Sequence, residues 1–122
     1  MKIFTNISVA LVALEHLGFL ILEMFYWNRP IGLKIFRTDQ DFADKSKTLA
    51  ANQGLYNGFL SAGLIWSLMA TSAETSLALK VFFLLCVLIA GLYGAYSVGR
   101  SILFVQAAPA AMVLIILWIQ FF

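Results

Sequence analysis

The sequence predicts an all-α, polytopic membrane protein built as a bundle of four transmembrane helices. Hydrophobic residues make up 62% of the 122 residues and charged residues only 11%, whereas soluble domains are about 45–50% apolar. The apolar residues also fall into four runs of about 20 residues each, the length that a helix needs to cross a bilayer. We therefore expect a single transmembrane domain over residues 1–122, with little room for anything else.

The predicted spans follow from the apolar runs in chain order. They cover residues 3–26, 49–70, 77–97 and 102–122. The only sizeable loop lies between the first two spans and opens with the turn residues 28–30. Thr38 followed by Asp41 resembles a helix N-cap, and Phe42 and Leu49 are two turns apart. These spacings predict one short interfacial helix in this loop, leading into the second span.

Basic residues are distributed unequally between the two sides of the predicted bundle. Loops one and three carry Arg29, Lys34, Arg37, Lys45, Lys47 and Arg100. Lys2 and Lys80 are on the opposite side. For a multi-pass protein of the plasma membrane, the positive-inside rule then predicts both termini outside and loops one and three cytoplasmic. The lipid bilayer is an expected partner of the apolar spans. Nucleic acid is not, because the basic residues are not clustered with stacking aromatics.

Polar side chains inside the first span suggest a site, because an ionisable group near the bilayer centre costs about 2.5–3.5 kcal/mol. His16 and Glu23 are seven residues apart, which is about 700° of helical rotation and places them within about 20° of one face. They are therefore candidate catalytic residues, with Glu23, or alternatively Glu15, as acid or base and His16 as its partner. The alternative is that Glu23 lies near the interface and His16 donates to a neighbouring helix.

The other spans carry candidate ligand-binding residues at similar depths. Span two contributes Asn52, Gln53, Tyr56 and Asn57, span three Tyr93, and span four Gln106. Measured from the cytoplasmic ends at about 1.5 Å per residue, most of them lie about 4–6 Å deep, Asn57 about 12 Å and His16 about 15 Å. This pattern predicts a polar pocket that opens to the cytoplasm. An aromatic belt at the interface would explain the tyrosines equally well.

Span three also has a face of small residues, Gly91, Gly94 and Ala95. Small residues at helical spacing let two backbones approach closely, so this face is expected to pack against a neighbouring helix, or to join two copies in a homo-oligomer. The single cysteine, Cys86, lies in an apolar run and has no partner for an intrachain disulfide.

Three segments carry a family resemblance: HLGFLILEMFYW, PIGLKIF and LAANQGLYNGFLSAGLIW, the last ending at Trp66. The residues that carry it are His16, Glu23, Trp27, Pro30, Asn52, Gln53, Gly54, Tyr56, Asn57 and Gly58. With these residues in this order, the chain resembles the domain of unknown function 1304 family of small bacterial integral membrane proteins. The resemblance implies four spans and no particular activity.

Three classes of function remain open from the sequence. The pocket could carry out proton transfer on a lipid-like substrate. It could instead bind or transport a small amphipathic molecule, or an ion in an oligomer. The polar residues could also only hold helices together in an accessory protein. No cofactor is specified. One histidine with Glu15 and Glu23 gives too few ligands for a metal unless two chains contribute, and no phosphate loop, nucleophile elbow or cysteine pair is present.

Overall fold

The computed structural model describes residues 1–122 and is all-α. Its elements are α1 (Lys2–Phe25), α2 (Pro30–Phe36), α3 (Gln40–Met69), α4 (Ala73–Ser97), a π-helical turn (Leu103–Ala107) and α5 (Ala108–Phe121). The chain forms two compact units. We call residues 14–61 the polar unit and residues 1–13 with 62–122 the apolar unit, after the side chains that each one buries.

Three helical segments are long and apolar enough to cross a membrane: Lys2–Phe25, Ala73–Ser97 and Leu103–Phe121. They correspond to the predicted first, third and fourth spans. The predicted second span lies within α3, which at 30 residues is the longest helix. It is not among the three, because Asn52, Gln53 and Asn57 interrupt its apolar sequence. Three helices could therefore cross a membrane, and the fourth crossing stays a prediction.

The helical content of the first loop differs from the prediction. Residues 38–48 do not form a separate short helix, because α3 begins at Gln40 and continues without a break to Met69. Asp39, rather than Thr38, caps it: Asp39 Oδ1 accepts a hydrogen bond of 2.8 Å from the Phe42 N–H. The apolar run that predicted span two begins only at Leu49. The helix starts earlier because a helix can extend beyond the segment that is apolar enough to cross a membrane.

The short helix of this loop is α2, and it starts at Pro30. The sequence interpretation took Pro30 as a turn residue, but proline also suits the first helical turn, where its missing N–H leaves no hydrogen bond unmade. The helix ends at Arg37, whose φ of 54° and ψ of 47° are left-handed. Gly32 is buried against the backbone of the preceding turn, where an added Cβ would lie 2.7 Å from the Trp27 carbonyl oxygen. Only glycine fits there.

In the apolar unit, α4 packs against the π-helical turn and α5. Gly91 lies against Ala107, whose backbone nitrogen would be 2.6 Å from a Cβ at position 91, and Gly94 lies against Ile102. The prediction that this small-residue face packs against a neighbouring helix is confirmed for both glycines. A homo-oligomer through the same face stays a prediction.

The π-helical turn precedes Pro109, which stands in the first turn of α5. The Ala108 N–H donates to the carbonyl oxygen of Leu103, five residues earlier, instead of four. Pro109 has no N–H to donate, and its ring would collide with the carbonyl four residues before it in a regular helix. The widened turn relieves this conflict, and it contains the candidate residue Gln106.

A buried carboxyl and amide pair as the candidate functional site

The centre of the candidate site is a hydrogen bond between α1 and α3 within the polar unit. Asn57 Nδ2 donates to Glu23 Oε1 at 2.8 Å, and both side chains are buried, with 8% of Glu23 and 5% of Asn57 exposed. The Asn57 amide also lies 3.4 Å from the backbone carbonyl oxygen of Gln53. An asparagine amide has two N–H donors, so it can serve both acceptors. The structure thus joins two of the residues that the sequence proposed for the site.

Two glycines on α3 make this short contact possible. Gly54 has no room for a side chain, because an added Cβ would lie 2.8 Å from Met24 Cγ and 3.1 Å from the Leu20 carbonyl oxygen. A Cβ at Gly58 would lie 2.5 Å from Leu20 Cδ1. Gly54 and Gly58 are four residues apart, the GxxxG spacing that lets helix backbones approach closely in membranes. The sequence analysis missed this role, although the spacing is readable from the sequence.

His16 is the most deeply buried of the candidate residues, with 1% of its surface exposed. It lies two helical turns before Glu23 on α1, and its ring meets that of Phe19 edge to face at a centroid distance of 5.6 Å. Ser61, one turn beyond Asn57 on α3, is also buried. The side chains that the polar unit buries on these two helices are therefore largely polar ones.

The other predicted ligand-binding residues of α3 lie at the surface of the protein. Asn52 and Gln53 are exposed, and the contribution of Gln53 to the buried pair comes from its backbone. Tyr56 is 61% exposed and packs edge to face against Phe59. These side chains are accessible from outside, whereas Glu23 and Asn57 are not.

Tyr93 and Gln106 belong to the apolar unit. Tyr93 is 69% exposed and its ring lies 6.5 Å from that of Tyr96, so the two form an exposed aromatic pair near the end of α4. Gln106 is half-buried in the π-helical turn. Their participation in a site with Glu23 stays a prediction.

The loop that follows Glu23 is held by side-chain contacts the sequence analysis did not foresee. Trp27 Nε1 donates to Ser46 Oγ at 3.0 Å, and the Trp27 ring lies 4.8 Å from the ring of Phe36. These contacts tie the end of α1 to the start of α3 through residues that are distant in sequence. They fix the ends of the two helices that carry the buried pair.

A second polar cluster lies on the exposed side of the same loop. Asp44 Oδ1 accepts from Asn28 Nδ2 at 3.0 Å and from Gln40 Nε2 at 2.9 Å. These hydrogen bonds, that from Asn28 first, lower the pKa of the Asp44 carboxyl below its usual value, and the charge of Lys47 adds to the effect. The cluster stabilises the loop rather than forming a pocket, since its members are at the surface.

Comparison with known proteins places the chain in a family. Residues 10–118 match the family described as Protein of unknown function (DUF1304). The chain belongs to the DUF1304 family. This DUF1304 protein is also 32% identical over 117 residues to the uncharacterized protein YpaA of Lactococcus lactis subsp. lactis (strain IL1403), covering 94% of the chain and 97% of that relative. No solved structure matches it.

The family assignment confirms the resemblance seen in the sequence. The matched region includes every candidate residue from His16 to Gln106. No group of three or more His, Cys, Asp or Glu side chains in this DUF1304 protein has the geometry to hold a metal ion. The buried pair itself offers a carboxyl and an amide, which can exchange hydrogen bonds with a polar group.

Proposed function

We propose that this DUF1304 protein binds the polar group of a lipid-like or small amphipathic molecule through Glu23 and Asn57 in the polar unit. The observation that carries the proposal is the buried hydrogen bond of 2.8 Å between these two side chains. The finer part of the proposal is proton transfer, in which Glu23 gives or takes a proton and His16 assists it from the same face of α1.

Helix packing alone does not require a carboxyl at position 23. A hydrogen bond between membrane helices returns about 0.6 kcal/mol on average and about 1.7 kcal/mol at most. Small apolar residues at both positions would hold α1 and α3 together without the cost of burying polar groups. The presence of a buried carboxyl in the last turn of α1 therefore supports a role beyond helix packing.

A ligand would exchange hydrogen bonds with the pair and gain contacts along α3. Asn57 donates to Glu23 and could donate instead to a hydroxyl or carbonyl oxygen of the ligand, while Glu23 accepts a ligand O–H. The exposed amides of Asn52 and Gln53 and the hydroxyl of Tyr56 supply further hydrogen bonds on the same helix. The expected ligand thus has one polar end and an apolar body.

Topology is part of the proposal: four spans in a plasma membrane, both termini outside, and the loop of residues 26–39 with the start of α3 in the cytoplasm. Single cysteines in a Cys86→Ala background test it. We expect Glu74→Cys, in the first turn of α4, to react with an impermeant thiol reagent in intact cells, and Lys47→Cys to be protected until the membrane is opened. The reverse pattern would invert the orientation.

The second candidate function is that of a small transporter subunit or a non-catalytic accessory membrane protein, in which the pair only joins helices. The close approach at Gly54 and Gly58 favours it, because such packing is how membrane helices associate without a ligand. Glu23→Gln separates the two candidates. A glutamine Oε1 accepts the Asn57 hydrogen bond as a carboxylate does, so helix packing survives, whereas the acid group is lost.

The experiment compares molecules that co-purify with the wild type, Glu23→Gln and Asn57→Leu, extracted into organic solvent and identified by mass spectrometry. Glu15→Gln, a half-buried carboxyl one residue before His16, is the matched control. We expect a molecule present in the wild type and the control and depleted in both pair variants, with the thermal stability of Glu23→Gln unchanged. Identical extracts from all four proteins would leave the accessory role as the function.

A further inference from the structure

The apolar unit contains a cavity of about 260 Å³, separate from the Glu23–Asn57 pair. It lies where α1 and α4 begin and where α3 and α5 end. Residues from all four helices line it, and these residues are of two kinds. The polar wall includes Lys2, Asn6 and Lys80, and the apolar wall includes Leu117 and Phe121.

The charged groups of this cavity are all positive. Lys2 and Lys80 line it, and no aspartate or glutamate does. Lys80 Nζ donates to Asn6 Oδ1 at 2.7 Å. This amide oxygen is neutral, so it cannot balance the charge of the lysine. An ammonium group placed in such surroundings without a carboxylate attracts an anion.

The position of Lys80 strengthens this conclusion. It lies two turns inside α4, a helix apolar enough to cross a membrane, and its side chain is half-buried. A lysine this close to the end of such a helix holds its ammonium group near the interface, where it can meet an anion. Its hydrogen bond to Asn6 connects Lys80 to α1, and both residues line the cavity.

Other groups fit the same anion. The cavity adjoins the first turn of α4, where the helix dipole favours negative charge. Gln120 Oε1 accepts a hydrogen bond of 2.9 Å from Thr5 Oγ1. This contact sets the orientation of the Gln120 amide group. The apolar wall at Leu117 and Phe121 suits a ligand that continues as a hydrocarbon.

We propose that Lys2 and Lys80 bind a phosphate group in this cavity. A phosphate has the oxygen acceptors and the negative charge that two ammonium groups require, and it could come from an anionic lipid headgroup or from free phosphate. The site is independent of the proposed function, because none of its residues belongs to the polar unit.

Native mass spectrometry of the detergent-purified protein tests the site with three probes: phosphatidylglycerol, phosphatidylcholine and inorganic phosphate. We expect the wild type to bind phosphatidylglycerol more tightly than zwitterionic phosphatidylcholine. Lys80→Gln and Lys2→Gln should each weaken phosphatidylglycerol binding about tenfold or more, as expected for loss of one charge-assisted contact. Lys47→Gln, which removes an exposed lysine of the polar unit, is the control and should bind as the wild type does.

The probes also distinguish the two sources of phosphate. Competition by inorganic phosphate, with the same dependence on both lysines, would show that the site takes free phosphate. Binding of the lipid alone would show a headgroup site. If Lys80→Gln does not fold, Lys2→Gln decides, because Lys2 is exposed at the first residue of α1. Affinity unchanged in both lysine variants, or no binding of either anionic probe to the wild type, overturns the proposal.

Discussion

The two units of this protein bury side chains of different kinds. In the apolar unit the buried side chains are mainly hydrophobic: Val9, Val12, Ala13, Leu64, Leu84, Val87, Ala107, Ala110, Val113 and Leu117, with Thr5 and Ser67. In the polar unit they are His16, Glu23, Asn57 and Ser61, with only Ala43 and Ala50 as hydrophobic ones. Since lipid is as apolar as leucine, helices in a membrane associate through close packing and hydrogen bonds. Hydrogen bonds join helices in both units, but in the polar unit both bonded side chains are buried.

The largest expected effect comes from removing volume in the apolar unit. Leu84 is fully buried, so Leu84→Ala should lower the free energy of unfolding in detergent by about 2–5 kcal/mol, through lost contacts and a residual cavity. The neighbouring Leu85 is 42% exposed and serves as the control. Equal losses for Leu84→Ala and Leu85→Ala would mean that packing volume does not hold this unit together.

In the polar unit the corresponding test removes a hydrogen bond while keeping the volume. Asn57→Leu should cost about 1–3 kcal/mol, because the buried carboxyl of Glu23 loses its donor. Asn52→Leu, on the same helix but exposed, should change the stability by less than about 0.5 kcal/mol. An Asn57→Leu protein as stable as the wild type would show that the polar unit, too, is held by packing alone.

Glycine substitutions rank the closeness of the helix contacts in the two units. Gly91→Ala should cost the most, about 1–3 kcal/mol, because its neighbour at Ala107 is backbone and cannot move aside. Gly54→Ala should cost less, since the nearest atom is the flexible side chain of Met24. Gly18 has nothing within 4 Å of an added Cβ, so Gly18→Ala should stabilise by up to about 1 kcal/mol. Thermal unfolding in detergent measures all three, and the reverse order would contradict the ranking.

The smallest expected effect is a pH dependence confined to the polar unit. The pKa of Asp44 is lowered in the folded protein by its bonds from Asn28 and Gln40. Its stabilising contribution is therefore fully present above the ordinary aspartate pKa of about 3.9 and is lost as the pH falls through the lower folded value. We expect Asp44→Asn to flatten this part of the acid-unfolding profile. In an NMR titration, Asn28→Ala should raise the midpoint of Asp44, and an unchanged midpoint would contradict the assignment.

The sequence predicted the apolar helices well, because hydropathy and helix length report directly on a membrane span. The predicted spans 3–26 and 102–122 differ from Lys2–Phe25 and Leu103–Phe121 by one residue at each end. The helix that contains the predicted second span begins nine residues before Leu49, because the polar segment that precedes Leu49 is helical without being apolar. The start of α2 was missed because proline both forms turns and begins helices.

The sequence analysis expected Glu23 and Asn57 to face each other, and they do. The residues that let α1 and α3 approach closely enough for this contact are not the polar ones. Periodicity fixes which residues share a face of one helix, and it does not fix how closely two helices approach. Gly54 and Gly58 determine that distance. The exposure of Gln53 and Tyr56 was likewise not predictable, since residues on a polar stripe can point to a partner helix or away from it.

The π-helical turn has a consequence for how the length of the last helix can change. Ile102 and Ala107 both face α4, although five residues of α-helix would rotate them about 140° apart. Deleting the exposed Phe104 would leave four residues of rotation, about 400°, and both contacts could persist in a regular α-helix. The ring of Pro109 would then meet a carbonyl and kink the helix. Deleting this one residue would therefore replace the π-helical turn with a proline kink, and the helix would still present the same face to α4.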